Sequence, residues 1–376
     1  MKTPSINVQA ITELLAQAVQ DKVCPGAVWA IGDAEGTRAA GHAGLLDPDQ
    51  HEHPMAQDTI FDLASITKII ATWSTVGALW EEGLLNLQRP LETFWDEVRG
   101  HPVGGLTPHH LLTHTSGLPL HANLEALYGT DRHAIRAGVL REPLRRPPGE
   151  EVEYTDRAAI ILGYLCEYLT GEPLERLARN RTWSPLRMDR THYGPLPPDL
   201  VKYCAPTEVD PDTRVPLKGT VHDFSSRLHG GVCGNAGVFS DRDDLARFLR
   251  YLLNQQSSPT PAGFGRKWVE ESLRIQTGDL NPGRGLFWHP SPVSGPPVYA
   301  HLGFTGTAVW VSPARNRWAL LLTNKLYYTR ERELIEQLRV AFRRLAFSLS
   351  ASAGCHLYAP PHDLSATEAG PGREPT

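Results

Sequence analysis

The chain has 376 residues, 41% of them hydrophobic, and a formal net charge of −5, which allows a large core in one big domain or in two intimately packed lobes. Lysine and arginine are scattered, so nothing marks a nucleic-acid or anionic-membrane partner, and no apolar run reaches the roughly 18 residues that a membrane span needs. Five cysteines (Cys24, Cys166, Cys204, Cys233 and Cys355) lack C-x-x-C spacing, and free buried thiols are expected of them.

The stretch from Met1 to Asn7 has neither the charged start nor the apolar core of a secretory signal, and a cytoplasmic protein is expected. Ile11, Leu14, Leu15, Ala18 and Val19 fall on one face at helical period, predicting a first helix that ends before Cys24-Pro25-Gly26. Strands over 27–31 and 37–43, joined by Gly32-Asp33-Ala34-Glu35-Gly36, read as a hairpin. The segment 66–82 is apolar nearly all round (Ile69, Ile70, Trp73, Val76, Leu79, Trp80) and stops at Gly83, which predicts a buried central helix. From 108 to 216 the chain reads as helices and proline-rich loops, including a helix over 158–169 closed by Gly171. His222-Asp223 and the cluster Gly230, Gly231, Gly234 and Gly237 predict a loop feeding a helix capped at Ser240 or Asp241, placed as a rim over a pocket. Strands follow over 298–300, 308–312 and 318–323, then an amphipathic helix through Leu334, Leu338, Ala341, Phe342 and Leu345.

The fold class expected is therefore α+β: an antiparallel sheet flanked by helices and formed by both chain ends, with an inserted helical lobe. One domain would span 1–348, its sheet lobe about 1–60 and 220–348 and its helical lobe about 61–219, with 349–376 a disordered tail of low apolar content.

The chemistry concentrates in three places. In Ser65-Ile66-Thr67-Lys68 a hydroxyl and an amine three residues apart face the same way on a helical turn, a nucleophile beside its base. Burial and the positive helix end would both favour a partly neutral Lys68. Tyr154-Thr155-Asp156 follows the turn Pro147-Pro148-Gly149 and precedes a helix-like run, with Asp156 either an anchor for Lys68 or a plain N-cap. His301-Leu302-Gly303-Phe304-Thr305-Gly306-Thr307 lies beside a strand-like segment; there Gly303 allows close approach, and the Phe304 N–H is the candidate second oxyanion donor beside that of Ser65.

At these places the chain resembles the serine β-lactamase and penicillin-binding-protein superfamily, in particular the hydrolases related to class C β-lactamases. Further similar stretches are L-L-T-H-T-S-G-L at 111–118 and G-N-A-G-V-F-S with D-D-L-A-R-F within 234–248. The resemblance implies the same two-lobed fold and a general-base role for Tyr154. Asp156 departs from the asparagine usual at its position, and His301 from the usual lysine. A neutral imidazole supplies no permanent cation for a substrate carboxylate, so His301 is expected to hydrogen-bond Tyr154 or the substrate. His114, Thr115 and Ser116 read as a structural turn between the helix start Thr107-Pro108 and the stop Gly117. His42, His51, His53 and His109-His110 show no metal-binding register, and neither metal nor cofactor is expected.

The expected function is a serine hydrolase cleaving a small-molecule ester, amide or lactam through an acyl-enzyme on Ser65. Its rivals are an acyltransferase using the same intermediate, a β-lactamase or D-amino-acid peptidase, and last a binding homologue without turnover.

Overall fold

The computed structural model describes residues 6–49, 53–120, 123–210, 213–254 and 262–347; the tail expected over 349–376 and the positions of His51 and Cys355 lie outside them. The first helix, Val8–Gln20, buries Ile11, Leu14, Leu15 and Ala18 as the periodicity predicts, and Asn7 caps it by accepting from the Ala10 N–H. The hairpin follows as β1 (Gly26–Asp33) and β2 (Gly36–Gly44), antiparallel with Ala27 opposite Ala43.

A small second sheet was not foreseen. It takes β3 (Phe61–Asp62), β4 (His192–Tyr193) and β5 (Val238–Ser240), in the order β3-β5-β4. The remaining strands, β6 (His289–Ser291), β7 (Val298–Leu302), β8 (Ala308–Ser312) and β9 (Arg317–Thr323), join the hairpin in an antiparallel sheet of order β2-β1-β9-β8-β7-β6. Strand β1 from one chain end therefore lies beside β9 from the other, with Val28 opposite Leu322.

Both faces of the sheet's inner strands are covered, which explains why they are largely apolar, with most of their polar residues, such as Asp33, Ser312, Arg317 and Thr323, at strand ends. Trp29, Ile31, Ala300, Trp310 and Leu321 point to the first helix and to the last, Glu333–Phe347. Their alternates Val28, Ala30, Val309, Val311, Leu320 and Leu322 point to the helical side of the molecule. There the helix Asp156–Thr170 is buried along most of its length and ends at Gly171 in the left-handed conformation, φ 70°.

The central segment is not one α-helix. Residues Ala64–Ile66 form a 3-10 turn, Lys68–Trp73 a π-helical turn and Ser74–Glu81 an α-helix. The Ile70 carbonyl, which an α-helix would pair with the Ser74 N–H, instead accepts from Trp183 Nε1 at 2.8 Å and Ser74 Oγ at 3.0 Å. The four described cysteines are buried and unpaired, with burial pushing the thiols of Cys24, Cys204 and Cys233 up to about 12. Among the described residues no helix is long and apolar enough to cross a membrane.

Candidate active site

Ser65 sits on the 3-10 turn just before the buried central segment, behind Ala64, which adopts φ 46°. Asp62 holds that turn by accepting from the Ala64 N–H at 2.9 Å. Lys68 is fully buried, and its Nζ donates to Ser65 Oγ at 3.0 Å, to Asp156 Oδ1 at 2.6 Å and to the Asn235 carbonyl at 3.1 Å. All three ammonium protons thus have acceptors. Burial alone would pull the Lys68 pKa down, but Asp156 and then Tyr154 outweigh it and hold the amine above its ordinary value. The expectation of a partly neutral amine is corrected: the carboxylate at 156 keeps Lys68 charged.

Asp156 is free to do this because Thr155 is the N-cap of the helix, its hydroxyl accepting from the Arg157 N–H at 3.2 Å. The Asn235 carbonyl comes from the glycine cluster, whose Gly231, Gly234 and Gly237 are buried and whose Gly234-Asn235 carbonyls accept from Thr72 and Lys68, where a rim was expected; Gly230 alone of the four is exposed. From this cluster the chain enters β5, and Asp241 caps the next helix, Arg242–Leu253.

The Tyr154 hydroxyl faces Lys68 and Ser65, with Lys68 Nζ 4.9 Å from the ring centroid. Tyr154 is exposed to the cleft at 37%, and the desolvation of its hydroxyl among the groups around it raises its pKa while Lys68 opposes the rise, leaving a phenol. What orients this ring was missed in the sequence. His114, buried and at φ 57°, lies against Tyr154 with ring centroids 4.6 Å apart and stacks on Phe287 at 5.2 Å. Its carbonyl accepts from the Glu153 N–H at 2.8 Å and its Nδ1 from the Thr155 N–H at 3.4 Å, so His114 grips the backbone on both sides of Tyr154. The signal available was the placement of a histidine between a helix end and Gly117, which reads equally well as a turn.

His301 stands on β7, buried, with Nδ1 donating to the Phe287 carbonyl at 2.9 Å. Burial, then Lys68 and His289, push its pKa well below the ordinary value, so the ring is neutral as expected. Its Nε2 is buried without a partner, with the Tyr154 ring centroid 6.5 Å away, so of the two partners expected for His301, Tyr154 or the substrate, Tyr154 is not hydrogen-bonded to it. Beyond β7, Gly303 packs directly on the nucleophile segment, where a Cβ would lie 2.5 Å from the Leu63 carbonyl oxygen. Thr305 Oγ1 donates to the Asp62 carbonyl at 2.7 Å and Thr307 Oγ1 to that of Leu63 at 3.0 Å, tying the turn that carries Phe304 to the segment that carries Ser65.

These groups open on a cleft of about 280 Å³ lined by Ser65, Tyr154, His301, Gly303 and Phe304, together with Arg284, Lys325, Arg332 and Arg339. The imidazole at 301 brings no permanent cation, as expected, but Arg284, Arg332 and Arg339 place guanidinium groups along the same cleft. A larger hollow of about 480 Å³ around Leu252, Val269 and Tyr299 holds none of the groups the sequence singled out. Among the described residues no cluster of histidine, cysteine or carboxylate side chains is placed to hold a metal.

A family model described as Beta-lactamase matches residues 11–342. An N-acetylmuramyl-L-alanine amidase of Bacillus subtilis (strain 168) is 30% identical over 304 residues, 72% of this chain and 69% of that protein. Two solved structures share the fold. A class C beta lactamase from Rhodobacter sphaeroides superposes with a TM-score of 0.68 at 18% identity, covering 86% of this chain and 95% of its own. EstCE1, described as a hydrolase with promiscuous acyltransferase activity, superposes with a TM-score of 0.69 at 19% identity, covering 88% and 97%.

Proposed function

The chain belongs to the beta-lactamase family, and from that premise we propose that it is a serine hydrolase that cleaves an ester or amide through a covalent acyl-enzyme on Ser65. The observation that carries this reading is the buried Lys68 ammonium, held by Asp156 and Asn235 while it donates to Ser65 Oγ at 3.0 Å.

In the forward half-reaction Ser65 Oγ attacks the carbonyl carbon. Its proton enters the Lys68–Tyr154 pair, which passes a proton to the departing alcohol or amine. The productive form of that pair is the one that has lost a proton. The Ser65 and Phe304 backbone N–H groups hold the oxyanion. Water then attacks the acyl-enzyme, gives its proton to the same pair and restores Ser65. An alcohol or amine in place of that water would make the reaction acyl transfer.

The test is intact-protein mass spectrometry with a fluorophosphonate, followed by aryl esters, D-amino amides and a chromogenic β-lactam with and without an added alcohol. One adduct, on Ser65 and lost in Ser65→Ala, is the expected result. Labelling of another serine with turnover intact in Ser65→Ala would refute the assignment.

A further inference from the structure

Asp62 is a buried carboxylate that the proton transfers do not use. It stands on β3 directly before the nucleophile segment, 2% exposed, and its main chain pairs with Phe239 of β5. Oδ1 accepts from the Ala64 N–H at 2.9 Å and Oδ2 from the His222 N–H at 2.8 Å. Among the described residues no lysine or arginine pairs with it, and Asp223, a charge of its own sign, adds to the cost of burial. Burial raises its pKa, and the two N–H groups oppose the rise.

What this costly group holds is the surroundings of both oxyanion donors. Ala64 is the residue before Ser65, and its φ of 46° puts a residue with a Cβ in the left-handed region, which persists only where neighbours hold it. The peptide between Ala64 and Ser65 carries the Ser65 N–H, so the bond from Ala64 to Asp62 sets the direction of that donor. On the other side Thr305 follows Phe304, and its Oγ1 donates to the Asp62 carbonyl at 2.7 Å. The His222 backbone held by Oδ2 carries a ring 5.9 Å from that of Phe304. Arg339 Nη2 also grips the Phe304 turn, at the carbonyls of Gly303 (2.6 Å) and Thr307 (2.8 Å), whereas Asp62 meets the chain neighbours of both donors. Two N–H groups converge on its two oxygens. An amide of the same shape would accept from one and turn its own NH2 on the other.

We propose that Asp62 is a positioning residue that aligns the Ser65 and Phe304 N–H groups as one oxyanion pocket, its carboxylate fixing the first and its main-chain carbonyl the second. This rests on the hydrolase reading above and extends it to a residue that does not line the cleft.

The experiment uses a substrate pair that differs only in the atom that becomes the oxyanion, 4-nitrophenyl acetate and its thionoester. Sulfur is larger and a weak acceptor, so an aligned pocket favours the oxygen ester and a misaligned one loses that discrimination. In Asp62→Asn, kcat on the oxygen ester should fall roughly ten- to a hundredfold with KM little changed, and the oxygen-to-sulfur ratio of kcat/KM should fall about tenfold. The rate of Ser65 phosphonylation by a fluorophosphonate should fall with it, because the phosphoryl oxygen takes the same two N–H groups. Thr305→Val, which removes the bond to the Asp62 carbonyl, should shift both readouts the same way, and the double variant should lose less than the product of the single losses. Thr305→Val decides the matter by itself if Asp62→Asn does not fold. Ile11→Val, which loosens the first helix away from the cleft, should lower stability and leave the ratio in place. Suppose wild type is labelled, but both readouts survive Asp62→Asn or Thr305→Val, the ratio falls equally in Ile11→Val, or the double variant shows the full product. Any of these means that Asp62 only supports the fold, while the hydrolase stands. If Ser65 of wild type is never labelled and neither ester is cleaved, the hydrolase reading itself fails.

Discussion

Asp156 favours the protonated form of both groups it faces: its charge works against desolvation at Lys68 and adds to it at Tyr154, raising the pKa of each. If the productive form of the pair has lost a proton, the carboxylate delays that form to higher pH. Removing the charge should bring it earlier. In Asp156→Asn the rising limb of kcat/KM against pH should therefore move to lower pH by about one to three units, the usual effect of an adjacent opposite charge. A limb that stays in place, measured on a neutral aryl ester between pH 5 and 10, would remove Asp156 from the proton economy of the site. His114 acts on the same unit through position. Asparagine tolerates the left-handed backbone at 114, so His114→Asn removes the ring against Tyr154 without forcing the turn. A misplaced catalytic group costs about a hundredfold, and kcat should fall by roughly ten- to a hundredfold with KM little changed. A rise in KM alone would make His114 a wall of the cleft and not a support for Tyr154.

The elements legible in the sequence are those long enough to show a period. Ile11 to Ala18 and Leu338 to Phe342 present single apolar faces, and the hairpin and the last three strands carry runs bounded by turns, so both chain ends could be placed in one sheet. Strands β3 and β4 have two residues each, too few to alternate, and the edge strand β6 contains Pro290. The π-helical turn was hidden for another reason, since it depends on Trp183 reaching Ile70 from 113 positions away. Likewise Ser65 and Lys68 were readable as a local pair, whereas the grip of His114 on Tyr154 and the approach of Arg284 come from folding. Gly234 is such a case, read as part of a rim although it is buried. A Cβ there would lie 2.0 Å from the Ala159 carbonyl oxygen, and the Gly234 carbonyl accepts from Thr72 Oγ1 at 2.7 Å. Gly234→Ala must push this segment off the helix Asp156–Thr170, at about 1–3 kcal/mol for overpacking, and carry the Asn235 carbonyl away from Lys68. Denaturant midpoint and the rate of Ser65 labelling should fall together. An unchanged midpoint would show that the contact relaxes freely.

At the scale of the molecule, the site is assembled where the two chain ends meet. Ser65 leaves from β3, Phe304 sits on the turn between β7 and β8, and the last helix braces that turn from behind through Arg339. The same helix is fastened to the sheet by Arg317 Nη1, which donates to the Ala346 carbonyl at 2.9 Å, and by the packing of Trp29 and Trp310 on Phe342. Burial pulls the Arg339 pKa down to about 10, which still leaves the guanidinium charged at neutral pH. Arg339→Met keeps much of the buried stem but leaves the Gly303 and Thr307 carbonyls without this donor. Hydrogen bonds to a charged group are worth about 1.5–3 kcal/mol, so a loss of stability of that order is expected from the denaturant midpoint. Because those carbonyls flank the turn that presents the Phe304 N–H, kcat on a neutral ester should fall as well, by up to about a hundredfold if that oxyanion donor is misaligned. A variant that loses stability yet keeps its full kcat would show that Thr305 and Thr307 alone hold the turn. The last helix would then support the sheet without reaching the chemistry.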